Sequence, residues 1–241
     1  MNSKAAASIF AEQYCLLRRK ENRFYSDEEL LLLPKLSKKH PHYKEWLTRR
    51  NSCRRLIKYL RSKQQPLHIL EVGCGNGWLS AQLAGIKNAT VTGIDINTEE
   101  LEQARRVFAD KNNLSFARGE LGKDILPGQH YDVIVFAASM QYFPSVKRTV
   151  SAALSHLTLM GEVHIMDTVL YKKEEVFKAG LRSQAYFSGL SFPQMAEYYF
   201  HHCIDTIQQF DHRVLYNPLS FFNRIKPGRN PFYHILITGK K

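Results

Sequence analysis

Apolar positions follow two different spacings along the chain. From Tyr43 to about residue 61 they recur every three or four residues, with basic residues on the remaining face. This spacing predicts an amphipathic helix that ends before Pro66. After Pro66, short apolar runs alternate with segments long enough for helices, and the runs predict strands at about 67–72, 90–95, 113–117, 131–137 and 161–167. The alternation predicts a parallel sheet with helices on both faces.

Two further apolar runs, at 212–216 and 232–238, close the chain and are joined by a connection rich in Asn, Pro and Gly. They predict an antiparallel pair of strands. The predicted fold is therefore an α/β domain over 67–241, with a seven-stranded, mostly parallel sheet and a C-terminal antiparallel hairpin. Residues 1–66 are predicted to form an N-terminal helical segment that caps this domain.

Composition narrows the class of protein. With 241 residues and 44% hydrophobic content, the chain can build one main core. Its apolar stretches are shorter than the roughly 20 residues of a membrane helix, and its start lacks the pattern of a secretory signal. Cys15, Cys53, Cys74 and Cys203 are scattered, with no metal-ligand spacing. We expect a cytoplasmic protein with free thiols, no membrane insertion and no bound metal.

The net charge of +12 is distributed unevenly. Residues 1–66 carry 16 Lys and Arg against 6 Asp and Glu, whereas the rest of the chain carries 18 against 16. The predicted sheet domain is thus nearly neutral. This distribution weakens the case for a protein whose whole surface binds nucleic acid.

The strongest chemical signal follows the first predicted strand, where residues 71–77 read Glu-Val-Gly-Cys-Gly-Asn-Gly and a helix begins. Glycines there let a ligand approach the backbone, and the free N–H groups of the helix start point at the same space. Asp95 ends the second predicted strand, in the position of an acid that binds ribose hydroxyls. Together they predict a site for a nucleotide-like ligand, although the loop alone could be only a tight turn.

The same residues resemble the motifs of the class I S-adenosylmethionine-dependent methyltransferases. Residues 71–77 resemble the first motif of that family, residues 93–97 the second, and residues 118–120 and 131–142 its adenine-binding turn and fourth strand. Where the family usually has Asp, this chain has Glu120. The resemblance implies a Rossmann-like fold, S-adenosylmethionine as cofactor and S-adenosylhomocysteine as product.

The resemblance also implies roles for individual residues. Glu71 and the glycines would bind the methionine part of the cofactor, and Asp95 would bind the ribose. Ile96, Glu120 and Leu121 would contact the adenine. The end of the fourth strand would lie under the sulfonium. The cofactor-binding residues so implied are Glu71, Gly73, Gly75, Gly77, Asp95, Ile96, Glu120, Leu121, Ala137 and Ala138. For Ile96, Ala137 and Ala138, ordinary core packing is the alternative.

The acceptor side is less defined. Gln141 and Tyr142 follow the fourth strand, where open α/β folds bind ligands, and are predicted to face the substrate. The stretch at about 171–210 is rich in aromatic residues, and in the family insertions here and N-terminal helices commonly cover the active site. Tyr186 is a further substrate-facing candidate, and we expect 186–202 and the regions around Tyr25 and Tyr43 to cover the methyl group. The candidates for a catalytic base are Tyr142, His201 and His202.

Three functions remain open from the sequence. The preferred one is methyl transfer to a small, partly apolar organic molecule. The second is methylation of RNA or protein, for which the basic helix at about 49–63 would gather an acidic macromolecule. Against it, residues 138–142 read Ala-Ser-Met-Gln-Tyr and lack the Asn/Asp-Pro-Pro-Tyr/Phe signature of amino-directed nucleic-acid enzymes. The third is a non-catalytic module that only binds the cofactor.

Overall fold

The computed structural model describes residues 3–122, 129–225 and 229–239. Part of the connection predicted between the last two strands, 226–228, lies outside the described residues. The helices are α1 (Ser3–Lys20), α2 (Asp27–Leu32), α3 (Tyr43–Arg61), α4 (Trp78–Leu83), α5 (Thr98–Val107), α6 (Val146–Ser155), α7 (Val176–Gly189) and α8 (Phe221–Ile225). The strands are β1 (Leu67–Val72), β2 (Ala89–Asp95), β3 (Leu114–Arg118), β4 (Tyr131–Ala137), β5 (Leu157–Met166), β6 (Leu170–Tyr171), β7 (His202–Cys203), β8 (Asp211–Tyr216) and β9 (His234–Thr238).

Seven strands form the main sheet, in the order β3-β2-β1-β4-β5-β9-β8. The first five pair in parallel, whereas β9 runs antiparallel to both β5 and β8. The predicted seven-stranded, mostly parallel sheet with a C-terminal antiparallel pair is confirmed. Strand β9 lies between β5 and the edge strand β8, so the last strand of the chain is an inner one.

Alternation along the strands separates two apolar layers. Ile69 of β1 packs in one cluster with Leu56 of α3 and Leu79 of α4, and its neighbour Leu70 packs in another cluster with Val150 of α6. All five side chains are fully buried. Helices therefore cover both faces of the sheet, as predicted.

The N-terminal 66 residues share the core of the sheet domain. Trp46, Leu56 and Leu60 of α3 belong to the same buried cluster as β1, and Trp46 Nε1 donates a hydrogen bond of 2.6 Å to the hydroxyl of Tyr25. The predicted amphipathic helix is confirmed as α3. Its buried face anchors the N-terminal segment to the sheet.

The segment between β5 and β8 packs against helix α1. Leu17 of α1 forms a small buried cluster with Phe187 of α7 and with Met195, and β6 pairs in parallel with β7. The backbone N–H of Phe200 donates to the carbonyl of Gln141 at 2.7 Å. These contacts hold the aromatic segment above the carboxyl ends of the strands.

The crevice of the sheet opens between β1 and β4, because the connections after these neighbouring strands leave on opposite sides. Ser139, just after β4, donates through Oγ to the carbonyl of Val72 at 2.7 Å, and the N–H of Ala138 donates to the carbonyl of Met166 at 2.9 Å. The ends of three parallel strands are thus tied together at one edge.

Within the described ranges, no helix is both long and apolar enough to cross a membrane. In the same ranges, no group of three or more His, Cys, Asp and Glu side chains is arranged to hold a metal ion.

Candidate functional site

The glycine loop between β1 and α4 is left-handed at each glycine, with φ of +72° at Gly73, +52° at Gly75 and +74° at Gly77. An added Cβ would lie 2.6 Å from Ser139 Cβ at Gly73 and 2.5 Å from the ring of Phe116 at Gly77, so both glycines are required by protein packing. At Gly75 the nearest atom would be a carboxylate oxygen of Glu100 at 3.3 Å. Gly75 is therefore the one of the three glycines at which an added Cβ would meet only the end of a flexible side chain.

Asp95 connects this loop to β2. Its Oδ2 accepts a hydrogen bond from the N–H of Gly75 at 2.8 Å, and its Oδ1 accepts one from the N–H of Asn97 at 2.9 Å. Burial raises the pKa of the Asp95 carboxyl, while these two N–H groups act in the opposite direction. The carboxylate is held in a fixed orientation at the edge of a cavity.

That cavity measures about 400 Å³ and lies over the ends of β1, β2 and β4. It brings together seven of the residues predicted to bind the cofactor, namely Gly73, Gly75, Asp95, Ile96, Glu120, Leu121 and Ala138. Gly77 does not line it, in agreement with the packing role described above. The adjoining residues Val72, Ser139, Phe143 and Phe200 make most of the remaining wall apolar.

Helix α1 closes the outer side of this cavity. Phe10, Ala11 and Tyr14 line it, together with Tyr198 from the aromatic segment. The ring of Phe10 lies 5.2 Å from that of Tyr198 and 5.6 Å from that of Tyr142, measured between centroids. The sequence analysis did not identify these α1 residues, although Phe10, Tyr14 and Leu17 are spaced for one face of a helix.

A narrower space of about 70 Å³ continues from the cavity beneath the glycine loop. Glu71 and Ala137, also predicted to bind the cofactor, line this part, as do Glu100, Arg18 and Arg49. Burial raises the pKa of Glu71 to about 8, although the hydrogen bond that Ser80 Oγ donates to this carboxyl acts in the opposite direction. Burial and the charge of Asp95 together raise the pKa of Glu100 to about 7. Buried carboxyls beside arginines fit a ligand group that carries both an ammonium and a carboxylate.

A second cavity, of about 510 Å³, adjoins the first. Ala138 and Tyr142 line both cavities and form their common wall. Apolar side chains of the second cavity include Leu17, Ala179, Phe187 and Phe232, and its cations are Arg18, Arg23, Arg49 and Arg182. The predicted substrate-facing residues Gln141, Tyr142 and Tyr186 all line it.

The arginines of this cavity differ in their partners. Arg18 and Arg23 pair with Glu21, and Arg23 and Arg49 pair with Glu45. Arg182, on the exposed side of α7, forms no ion pair with a carboxylate in the parts of the chain that the structure describes. Its guanidinium lies near the hydroxyl of Tyr171.

The three candidates for a catalytic base occupy different places. Tyr142 lies in the common wall, and burial raises the pKa of its phenol. His201 hydrogen-bonds through Nε2 to Ser183 Oγ at 2.8 Å, and His202 is buried with Nε2 3.1 Å from the carbonyl of Met140. Neither histidine lines any of the three cavities described above. Two N-terminal tyrosines were expected to cover the methyl group. Tyr25 lines the narrow space beneath the glycine loop, whereas Tyr43 lines none of the three cavities.

One acid that the sequence analysis did not single out lies in the second cavity. Asp167 follows β5 directly, is 7% exposed and has a left-handed backbone with φ of +54°. Its Oδ1 accepts a hydrogen bond from Ser52 Oγ at 2.5 Å, and its Oδ2 has no partner among the described residues. A single Asp after a strand gives no sequence signal for such a role.

Comparison with known proteins agrees with this geometry. Residues 69–161 match the profile of a family described as a methyltransferase domain. The malonyl-[acyl-carrier protein] O-methyltransferase of Halalkalibacterium halodurans is 31% identical over 121 residues, which are 46% of this chain and 45% of that protein. The ubiquinone biosynthesis O-methyltransferase of Actinobacillus pleuropneumoniae is 37% identical over 98 residues, 36% of this chain and 41% of that protein. The chain thus spans less than half the length of these curated relatives.

Among solved structures, the plantazolicin methyltransferase BpumL, in complex with a triazolic desmethylPZN analog and SAH, superposes with a TM-score of 0.57. The match covers 98% of this chain and 100% of that one at 16% identity. At this identity the likeness concerns the fold.

Proposed function

We propose that this chain, whose residues 69–161 match the profile of a methyltransferase domain, is an S-adenosylmethionine-dependent enzyme that transfers a methyl group to a small, partly apolar organic acceptor. The observation that carries the proposal is the common wall of Ala138 and Tyr142 between the two cavities. The first cavity has the nucleotide-binding features of the fold. The second cavity, on the other side of the common wall, has room for a small acceptor. Methyl transfer requires this proximity of two ligands.

The residues of the first cavity fit the cofactor. Asp95 would bind the ribose hydroxyls, Ile96 and Leu121 would pack on the adenine, and Glu120 would contact the adenine edge. Glu71 and Glu100 would accept hydrogen bonds from the ammonium of the methionine part, with Arg18 or Arg49 on its carboxylate. Gly75 lines both the first cavity and the narrow space beneath the loop, which supports close approach of the ligand to its backbone. When bound, S-adenosylmethionine supplies a methyl group on a positively charged sulfur.

The protein's part in this reaction is to align the acceptor and to exclude water. Phe10 and Tyr14 pack around Tyr142, with ring centroids 5.6 Å from it in both cases, and cover the first cavity. Ala138, which has only a methyl side chain, leaves space at the common wall. Catalysis by alignment fits these contacts, because displacement at a sulfonium needs no covalent intermediate.

The second cavity indicates an acceptor with an apolar body and an anionic group. Phe187 and Leu17 would pack on the body, and the unpaired Arg182 would bind the anion. The two curated relatives are both named O-methyltransferases, which supports oxygen as the accepting atom.

The alternatives receive less support. Of the basic residues at about 49–63, Arg49 pairs with Glu45 and Lys63 pairs with Glu162, which reduces the charge that this helix offers to RNA. The four cysteines are free thiols, which supports the cytoplasm as the location.

The test is transfer of a labelled methyl group from S-adenosylmethionine into a cell extract separated into small-molecule, RNA and protein fractions. We expect label in the small-molecule fraction, at a rate that changes little between 50 and 200 mM salt. Label in RNA, with a steep loss at the higher salt through counterion release, would support the macromolecular alternative. Binding of S-adenosylhomocysteine without transfer to any fraction would indicate a non-catalytic module.

A further inference from the structure

Asp167 lies in the wall of the acceptor cavity, and one of its carboxylate oxygens is buried without a hydrogen-bond partner among the described residues. This oxygen is Oδ2, and Asp167 as a whole is only 7% exposed. A buried carboxylate oxygen without a hydrogen-bond donor destabilises the folded protein. Such a group is retained at functional sites when a ligand satisfies it.

The position of Asp167 relative to the cofactor cavity follows from the strand ends. The N–H of Ala138 donates to the carbonyl of Met166, the residue before Asp167, at 2.9 Å. Asp167 therefore stands beside Ala138, which lines both cavities. Ala138 and Asp167 are both left-handed, with φ of +55° and +54°, and non-glycine residues in this region concentrate at functional sites. Both strand ends turn sharply where the two cavities meet.

An ionised carboxylate only accepts hydrogen bonds, so the ligand atom opposite Oδ2 must be a donor. A hydroxyl or an amine satisfies this condition, whereas an acceptor carboxylate would place two negative groups together. We propose that Asp167 is a catalytic residue that receives the proton of a hydroxyl or amine acceptor, an inference that rests on the proposed methyl transfer. It narrows the acceptor to an O–H or N–H nucleophile.

The balance of the step is simple. The nucleophilic oxygen or nitrogen uses its electron pair to bond to the methyl carbon, and the carbon–sulfur bond breaks with its electrons remaining on sulfur. The O–H or N–H bond breaks, its electrons remain on the nucleophile, and the proton goes to Oδ2 of Asp167. The carboxylic acid so formed then loses the proton to water.

The surroundings of Asp167 determine its titration. Burial raises the pKa of its carboxyl, while the Ser52 hydroxyl and the Arg49 and Arg55 charges of α3 oppose this change. Asn230 and Cys53 also lie against it, and the charged groups across the cavity are Arg18, Glu21, Arg23 and Arg182. Because only the ionised form accepts a proton, the transfer rate falls as the pH drops through this raised pKa.

The first experiment identifies the type of bond that the transferred methyl group forms in the product, and it does not require the acceptor to be known. Labelled small-molecule product is treated with mild alkali, which releases methanol from methyl esters but leaves methyl ethers and N-methyl groups intact. Alkali-stable label is expected. Label released as methanol would show that the accepting group is a carboxylate and would overturn the role of Asp167.

The second experiment compares Asp167→Asn with Asp211→Asn, the same exchange at an exposed position of the edge strand β8. Asparagine tolerates the left-handed backbone and can still accept the Ser52 hydrogen bond. Loss of a general base lowers the rate about 100-fold or more. We expect this loss for Asp167→Asn together with loss of the acidic limb of the pH profile, and neither change for Asp211→Asn. A rate within about threefold of the native rate, with the acidic limb retained, would contradict the proposal.

A binding measurement separates this proposal from the proposed function. Calorimetry first checks that the native protein and Asp167→Asn bind S-adenosylhomocysteine equally. Phenol and anisole, which differ in the O–H donor, are then titrated into the saturated proteins. We expect phenol to bind about tenfold more tightly than anisole, and only in the native protein. Equal binding of the two probes by the native protein would overturn the inference, whereas a native protein that neither binds the cofactor product nor transfers methyl would refute the proposed function itself.

Discussion

The backbone N–H of Gly75 donates a hydrogen bond of 2.8 Å to Oδ2 of Asp95, which makes the glycine loop and the end of β2 one unit. A ligand that hydrogen-bonds to Asp95 therefore also lies next to the backbone of Gly75. The two motifs are 20 residues apart in the sequence, and this contact explains why both are needed for one site.

Asp95→Ala should weaken the binding of S-adenosylhomocysteine by about tenfold or more, because it removes charged hydrogen bonds of roughly 1.5 to 3 kcal/mol each to the ribose. Calorimetry measures the change. Asp110→Ala, at an exposed turn after α5, is the control and should bind normally. An unchanged dissociation constant for Asp95→Ala would exclude Asp95 from ribose binding.

Gly75→Val should prevent cofactor binding and leave the sheet folded. An added Cβ would lie 3.3 Å from a Glu100 carboxylate oxygen, so the branched side chain would crowd the ligand space and would strain a backbone with φ of +52°. Circular dichroism monitors folding, and calorimetry monitors binding. Gly189→Val, where an added Cβ meets nothing within 4 Å, should keep native affinity. If Gly75→Val also keeps it, the loop is only a turn.

Glu71→Gln should reduce the pH dependence of stability. Burial raises the pKa of Glu71 from 4.5 to about 8, so the folded chain holds a proton that the unfolded chain releases above about pH 4.5. The free energy of unfolding of the cofactor-free protein should fall as pH rises from about 4.5 to about 8, by roughly 1 to 4 kcal/mol from this group. Glutamine does not titrate and should remove this component.

Urea unfolding at pH 5 and pH 8.5 measures the effect for Glu71→Gln and for Glu102→Gln at an exposed position of α5. Glu102→Gln should behave as the native chain. Equal pH dependence in both variants would show that the Glu71 carboxyl ionises normally in the folded protein. At pH 8.5, where the Glu71 carboxyl is ionised, Glu71→Gln should also bind S-adenosylhomocysteine more weakly, since it loses the negative partner of the ammonium.

Tyr142→Phe should retain most of the transfer rate. Burial raises the pKa of the Tyr142 phenol, so it stays protonated at neutral pH and cannot act as a base. Its ring, which packs on Tyr14 and Tyr199 at 5.6 and 5.7 Å, separates the cavities, so Tyr142→Ala should be the damaging change. A loss of about 100-fold in Tyr142→Phe would instead identify the hydroxyl as catalytic.

Arg182→Ala should raise the acceptor concentration needed for half-maximal rate by about tenfold, since it removes a charged hydrogen bond to the anionic group. Serial dilution of the small-molecule extract gives this concentration. The affinity for S-adenosylhomocysteine should not change. Lys178→Ala, one helical turn earlier and also exposed, serves as the matched variant, and an equal effect of both would indicate a general charge effect.

Strands and the cofactor motifs were predictable because they depend on local patterns. The apolar run that became β1 is bounded by Pro66 and Gly73, the run that became β4 is bounded by His130 and Ser139, and glycines at 73, 75 and 77 have few explanations other than a tight loop. The order of the strands was not predictable. The insertion of β9 between β5 and β8 is decided by packing between segments that are distant in the chain.

The acceptor side depended on contacts that no local pattern reveals. Phe10 and Tyr14 have ordinary helical spacing, and only the folded chain brings them to the first cavity. The environment of Asp167 is created by Ser52, 115 residues away, and by Asn230. His201 and His202 were candidates by residue type, but their rings are directed to Ser183 and to a backbone carbonyl.

Helix α1 contributes Phe10 and Tyr14 to the first cavity and Leu17 and Arg18 to the second. Displacement of the whole helix therefore exposes both cavities at once. If α1 moved as a unit, the cofactor product and the methylated product would become free to leave in the same step.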